Sequence, residues 1–206
     1  MKKLFSMLAV LLLSSTLHAN SFNEGEHYEV IGDAPSTKPQ VMEFFSYFCP
    51  HCYNFEPIAK QLKAQLPADV PFKRSPVAFM GREMGPELQK ALALAEILKV
   101  DDKITPALFA MIHQKRTPPR NREEVKSLFT SVGISAEDFD SNINSMPVLS
   151  VVAEYDSQRE KLDIRSVPAF VVNNRYLVKV GALKSQEQFN ALITHLLSLP
   201  NNTAEN

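Results

Sequence analysis

The 206-residue chain has two cysteines, and they stand two residues apart in Cys49-Pro50-His51-Cys52. Three chemistries use such a pair. A structural staple is the first, but a loop this short restrains the unfolded chain little, and stapled secreted scaffolds use more cysteines at wider spacing. A closed zinc site is the second. It needs four ligands, and His27, His113 and His195 are isolated in the sequence, so no metal is expected. The third is thiol–disulfide exchange, in which the cysteine pair is itself the redox group and no bound organic cofactor is needed.

The elements that must position the pair make its two sulfurs unequal. Gln40-Val41-Met42-Glu43-Phe44-Phe45-Ser46 has the content of a largely buried strand. Phe55, Ile58, Ala59, Leu62 and Leu66 then recur at helical spacing. Cys49 falls at the N-cap of that helix and Pro50 at its first position, where a missing N–H costs nothing. Pro57 should kink the helix by removing one intrahelical bond. Cys52 shares the apolar stripe with Phe55 and is expected to be buried, whereas Cys49 is expected at the exposed end. There a Cys49 thiolate would face unpaired backbone N–H groups and the positive end of the helix dipole, with His51 adding to the effect when protonated or donating. Only the thiolate attacks or leaves, so Cys49 is the expected reactive sulfur. Each unit by which its pKa lies below ambient pH favours the dithiol by about 1.4 kcal/mol, or about 30 mV.

The N-terminus carries an address. Lys2 and Lys3 precede an apolar centre from Leu8 to Leu13, and Leu17-His18-Ala19 ends in a small residue. This is the pattern of a secretory signal cleaved after Ala19. The apolar run is too short to span roughly 30 Å of hydrocarbon. The formal net charge of −1 becomes more negative once this lysine-bearing, acid-free segment is removed, which argues against a nucleic-acid partner. Lys115, Arg116, Arg120 and Arg122 cluster beside Pro118 and Pro119 and fit a solvated loop. The length suits one moderate domain, or a small domain with an insertion.

The stretch VMEFFSYFCPHCYNFEP resembles the active-site segment of the DsbA family, the periplasmic disulfide oxidases of the thioredoxin superfamily. Phe79 to Gly81 (FMG) and Val167 to Tyr176 (VPAFVVNNRY) resemble later segments of the same family. The likeness spans essentially the mature chain. It implies an α/β architecture: a thioredoxin-like fold with an inserted helical domain. Residues 1–19 would be the signal peptide, 20–81 and 158–206 a discontinuous thioredoxin-like domain, and 82–157 the insertion.

Residue patterns agree with that division. Strands are expected near 27–31, 40–46, 70–76, 169–173 and 176–180. Within 82–157, Leu88, Ala91, Leu92 and Ala95 make one helical stripe and Val125, Leu128, Phe129 and Val132 another. Thr105-Pro106 marks a helix start. Ser185 and Gln188 predict a capping box ahead of an apolar face of Phe189, Leu192, Ile193 and Leu196.

The resemblance also implies roles. Cys49, Pro50, His51 and Cys52 would form the redox motif. Val167-Pro168 matches the family's cis-proline loop facing the disulfide, where the Val167 main chain would pair with an extended client by strand addition. Glu43 would lie beneath the site and assist proton transfer at the buried cysteine. One position departs from the pattern: Arg74 stands where the family member compared carries a lysine on the next strand. Arginine is effectively never neutral, so Arg74 can orient Glu43 but cannot switch. The clients would be unfolded exported proteins with reduced thiols. A quinone-linked membrane oxidase of the DsbB type would re-oxidise the pair, and the protein would act as a monomer in the periplasm. Two other activities remain open: an isomerase or reductase on the same fold, and a non-catalytic holdase using the apolar surface around the site. Isomerases of this compartment tend to carry a separate dimerisation domain, for which too few residues precede the first strand.

Overall fold

The computed structural model describes residues 21–32 and 36–199; the expected signal peptide lies outside them. Among the described residues five strands form one sheet: β1 (Tyr28–Val30), β2 (Val41–Phe45), β3 (Phe72–Pro76), β4 (Ala169–Val172) and β5 (Tyr176–Val178), in the order β1-β5-β4-β2-β3. The β2–β3 pair is parallel and the other pairs are antiparallel. The parallel pair needs a crossover, and helix α1 (Pro50–Gln65) supplies it. The five expected strands are present, each trimmed by one or two residues at its ends.

The pleat sorts β2 between two cores. Val41 joins Phe170 and Val172 of β4 against Ala59 and Leu62 of α1 and against helix α7 (Gln186–Ser198), which contributes Phe189, Leu192, Ile193 and Leu196. Phe55, Phe170 and Phe189 meet pairwise with ring centroids 5.0–5.3 Å apart. Met42 and Phe44 point to the other face, where Val77, Leu162, Ile164, Ala169 and Val171 cover them. Glu43 therefore shares a face with Val41 and Phe45, the face on which α1 packs.

Between β3 and β4 run helices α2 (Met84–Ile97), α3 (Asp101–Phe109), a π-helical turn (Ala110–Gln114), α4 (Arg122–Ser131), α5 (Ala136–Asn142) and α6 (Met146–Lys161). The Leu88, Ala91, Leu92, Ala95 stripe is buried, and so are Ala93 and Leu94, because α2 is enclosed on nearly all sides. Lys115, Arg116 and Arg120 lie outside the helices as expected, but Arg122 corrects the loop reading: it begins α4 and its guanidinium grips Glu87 of α2 at 2.8 Å, because the N-terminus of α4 lies against α2.

Helix α3 corrects one expectation. It starts at Asp101, not at Thr105-Pro106, and Pro106 lies inside it. Asp101 and Asp102 in the first turn complement the helix dipole, and Ile104 and Leu108 bury on the same helix. Together these outweigh the backbone bond that Pro106 removes. Helix α1 runs to Gln65 with Pro57 inside it. At α7, Ser185 Oγ accepts from Gln188 N at 3.2 Å as expected, but the Gln188 side chain reaches back one residue further than in a capping box, to Lys184 N at 2.8 Å.

Candidate active site

The redox motif forms where β2 turns into α1. Ser46 makes the turn twice over: its carbonyl accepts from Cys49 N at 3.1 Å and its Oγ from Phe48 N at 3.1 Å. Cys49 is the N-cap, with extended backbone (φ −89°, ψ 114°), and Pro50 begins the helix. The Cys49 sulfur accepts from the Cys52 backbone N–H at 3.2 Å, using one of the donors that a helix start leaves unpaired. A sulfur thus does what a serine or aspartate oxygen does at an ordinary N-cap.

The Cys49 thiol is held down to about 6. The chief cause is the Cys52 thiol, which donates to the Cys49 thiolate; the backbone N–H groups of Cys52 and His51 and the charge of His51 add to it, against the opposing effect of burial. Cys52 is held far above its usual value because it is that donor and because it is enclosed, with the Cys49 and Glu43 charges pushing the same way. Cys52 has no exposed surface, as its place on the apolar stripe requires. Cys49 differs from expectation, being only 3 % exposed. The Val167 loop lies over it, and the Cys49 thiol approaches the Val167 carbonyl at 3.5 Å. His51 is exposed beside the pair.

The Val167-Pro168 peptide is cis, and the contact of the Val167 carbonyl with Cys49 sets this second expected segment on the motif. The third comes in through Gly81. Its φ of +83° suits glycine, and a Cβ there would run into the Phe48 ring. The FMG loop therefore packs directly against the residue before Cys49.

Glu43 sits beneath, with no exposed surface. Its Oε2 accepts from Arg74 Nε at 2.8 Å, and Oε1 has no hydrogen-bond partner among the described residues. Burial lifts its carboxyl to about 7, although the Arg74 charge opposes the rise; the nearby Glu56 charge adds to it. The strand register explains the Arg74 contact, since Glu43 pairs directly with Arg74 across β2 and β3. Arg74 turns its other edge to Glu56, at 3.1 and 2.7 Å, and its guanidinium carbon stands 4.2 Å from the Phe45 ring centroid. Glu56 was not among the expected site residues. Its signal was available: it follows Cys52 by four positions, hence on the same side of α1. His113 is isolated in the sequence, yet its ring meets the Tyr47 carbonyl at 2.8 Å.

A thioredoxin-like sheet that presents a CPHC pair at a helix N-terminus, opposite a cis-proline loop, defines a thiol–disulfide oxidoreductase. The chain belongs to the DSBA-like thioredoxin domain family, whose model matches residues 40–194. It is 37 % identical over 193 residues to the thiol:disulfide interchange protein DsbA of Dickeya dadantii, covering 92 % of each chain. Among solved structures it is similar to a Proteus mirabilis DsbA with a non-covalently bound peptide, with a TM-score of 0.80 and 30 % identity over 86 % of this chain and 98 % of that one. A DsbA from Klebsiella pneumoniae superposes with a TM-score of 0.81 and 26 % identity, covering 87 % of this chain and 99 % of that one.

Proposed function

We propose that the Cys49–Cys52 pair, when oxidised, donates its disulfide to exported proteins through Cys49. A client thiolate attacks the Cys49 sulfur, a client–Cys49 disulfide forms, and Cys52 leaves with the electron pair of the broken bond. A second client thiolate then attacks the client sulfur and releases Cys49 as a thiolate. The client loses two electrons and the pair gains them. Cys52 takes up a proton, and Glu43, near half-protonated at neutral pH, supplies it. The Val167 carbonyl and the Pro168 loop receive the client as an extended strand, and His51 supports the Cys49 thiolate from the solvent side.

The single observation that carries this reading is the 3.2 Å bond from Cys52 N to the Cys49 sulfur. A thiolate held there is a good leaving group, and stabilising it makes the reduced state favourable and the disulfide oxidising. The peptide bound to the Proteus relative supports a peptide-like client. We place the protein in the periplasm as a monomer, its signal removed after Ala19, with a quinone-linked membrane oxidase of the DsbB type restoring the disulfide. Residues 20–81 and 158–206 would form the thioredoxin-like domain and 82–157 the helical one.

The test is the equilibrium of the Cys49–Cys52 pair against glutathione, read alongside the thiolate titration of the reduced protein. The expected result is a potential far more oxidising than a cytosolic thioredoxin and a Cys49 midpoint near 6. A potential close to the thioredoxin value would overturn the oxidase reading in favour of a reductase.

A further inference from the structure

The helical segment between β3 and β4 reaches the redox motif through one stripe of side chains. Thr105, Phe109 and His113 are spaced by four, and all three touch Tyr47, two residues before Cys49. Tyr47 Oη and Thr105 Oγ1 share a hydrogen bond of 3.1 Å. The Tyr47 and Phe109 rings are 5.1 Å apart. His113 Nε2 lies 2.8 Å from the Tyr47 carbonyl oxygen. A carbonyl oxygen only accepts, so Nε2 carries the hydrogen in this contact. The far side of the motif is gripped as well. The His113 ring stacks on Tyr53, 4.9 Å between centroids and 12° from parallel, and Gln114 Nε2 donates to the Tyr53 hydroxyl at 2.7 Å. Tyr53 in turn makes the first backbone bond of α1, to the Cys49 carbonyl at 3.0 Å.

The backbone around His113 is unusual. Ala110–Gln114 is a π-helical turn, closed by Lys115 N on the Ala110 carbonyl at 2.9 Å. Such turns widen the helix locally and cluster at functional sites. Here the wider turn keeps His113 over Phe109 at a spacing of four, where a regular α-helix drifts, and lets the consecutive residues His113 and Gln114 both face Tyr53.

We infer that His113, assisted by Gln114, is a positioning residue for the thiol–disulfide reaction: it braces Tyr47 and Tyr53 on either side of the motif and so fixes the Cys49 sulfur against the Cys52 N–H. The brace rests on the reading of Cys49 as the stabilised thiolate. It acts through the cap geometry and does not touch the client.

The test compares the parent, His113→Ala, His113→Gln and Gln114→Ala by ultraviolet titration of the Cys49 thiolate and by equilibrium with glutathione. With the brace gone, His113→Ala should raise the thiolate midpoint and make the pair less oxidising by about threefold to tenfold in the equilibrium constant, the worth of about one hydrogen bond. His113→Gln keeps an N–H for the Tyr47 carbonyl and should recover part of the shift. Gln114→Ala, at a solvent-facing residue, should move both readouts the same way by less. A residue that only stabilises the fold would lower the melting temperature and leave both readouts alone. If the folded variants match a parent that has a depressed midpoint, the brace is refuted and the oxidase reading stands. A parent with an ordinary thiol midpoint would refute both.

Discussion

Glu43 and Arg74 face each other across the parallel β2–β3 pair, and Arg74 Nε donates to one oxygen of Glu43 at 2.8 Å while the other oxygen stays without a partner among the described residues. The pairing leaves the acid half-satisfied in a fully enclosed position. Its carboxyl accordingly sits near 7 and not in the ordinary carboxylate range. A lysine in place of Arg74 could give up its own proton; an arginine cannot, so in this chain the titration beneath the cysteines falls to Glu43.

Replacing that acid should change the pH dependence of stability. Because the folded pKa of Glu43 is raised, the folded protein holds a proton that the unfolded chain releases, and stability falls as pH rises from about 4.5 through about 7. In Glu43→Gln this component disappears, removing a loss of roughly 3 kcal/mol across the window. Denaturant melts of parent and variant at several pH values check it. Parallel pH profiles for the two proteins would show that Glu43 does not titrate in this range.

Arg74 should be harder to replace than Glu43. Arg74→Met leaves both Glu43 and Glu56 without their cation and should cost about 3–5 kcal/mol, as expected when one partner of a buried pair is removed. Arg74→Lys keeps the charge but cannot make the Nε bond to Glu43 together with the two-pronged bond to Glu56, so it should lose less. The measurement is urea unfolding of both variants; a methionine variant as stable as the parent would contradict the network.

The two cysteines should separate cleanly. Cys49→Ser should abolish attack by client thiols, whereas Cys52→Ser should accumulate client–Cys49 disulfides, because the competing thiol is gone. Alkylation of the reduced protein in mildly acidic solution with a small reagent should label Cys49 first, since Cys52 is both enclosed and held protonated. Mass spectrometry of the labelled peptides decides it, and equal labelling would count against the asymmetry.

The reduced form should also weaken in acid. Cys49 has a folded pKa of about 6 against an ordinary 9.0, so its contribution is complete above about pH 9 and is lost as pH falls through about 6. Reduced parent protein should therefore lose stability relative to reduced Cys49→Ser on going down through that window. A constant difference between the two would place the Cys49 midpoint elsewhere.

Local chemistry is what the sequence determined by itself. Pro50 after Cys49, and Phe55 three residues beyond Cys52, settle which sulfur caps the helix and which is enclosed, because capping and helical periodicity depend on neighbours within a turn or two. The near-continuous apolar run of β2 likewise marks Glu43 as an acid in a buried strand. Tertiary structure decided what stands opposite each of these groups. The Val167 carbonyl shields Cys49, which sequence alone had left exposed. Glu56 of α1 meets Arg74 of β3, and His113 meets Tyr47 from the π-turn that follows α3. These partners come from elements 18 to 118 residues apart in the chain. Packing brings them together, and no pattern read within one element specifies which of the other elements will lie against it.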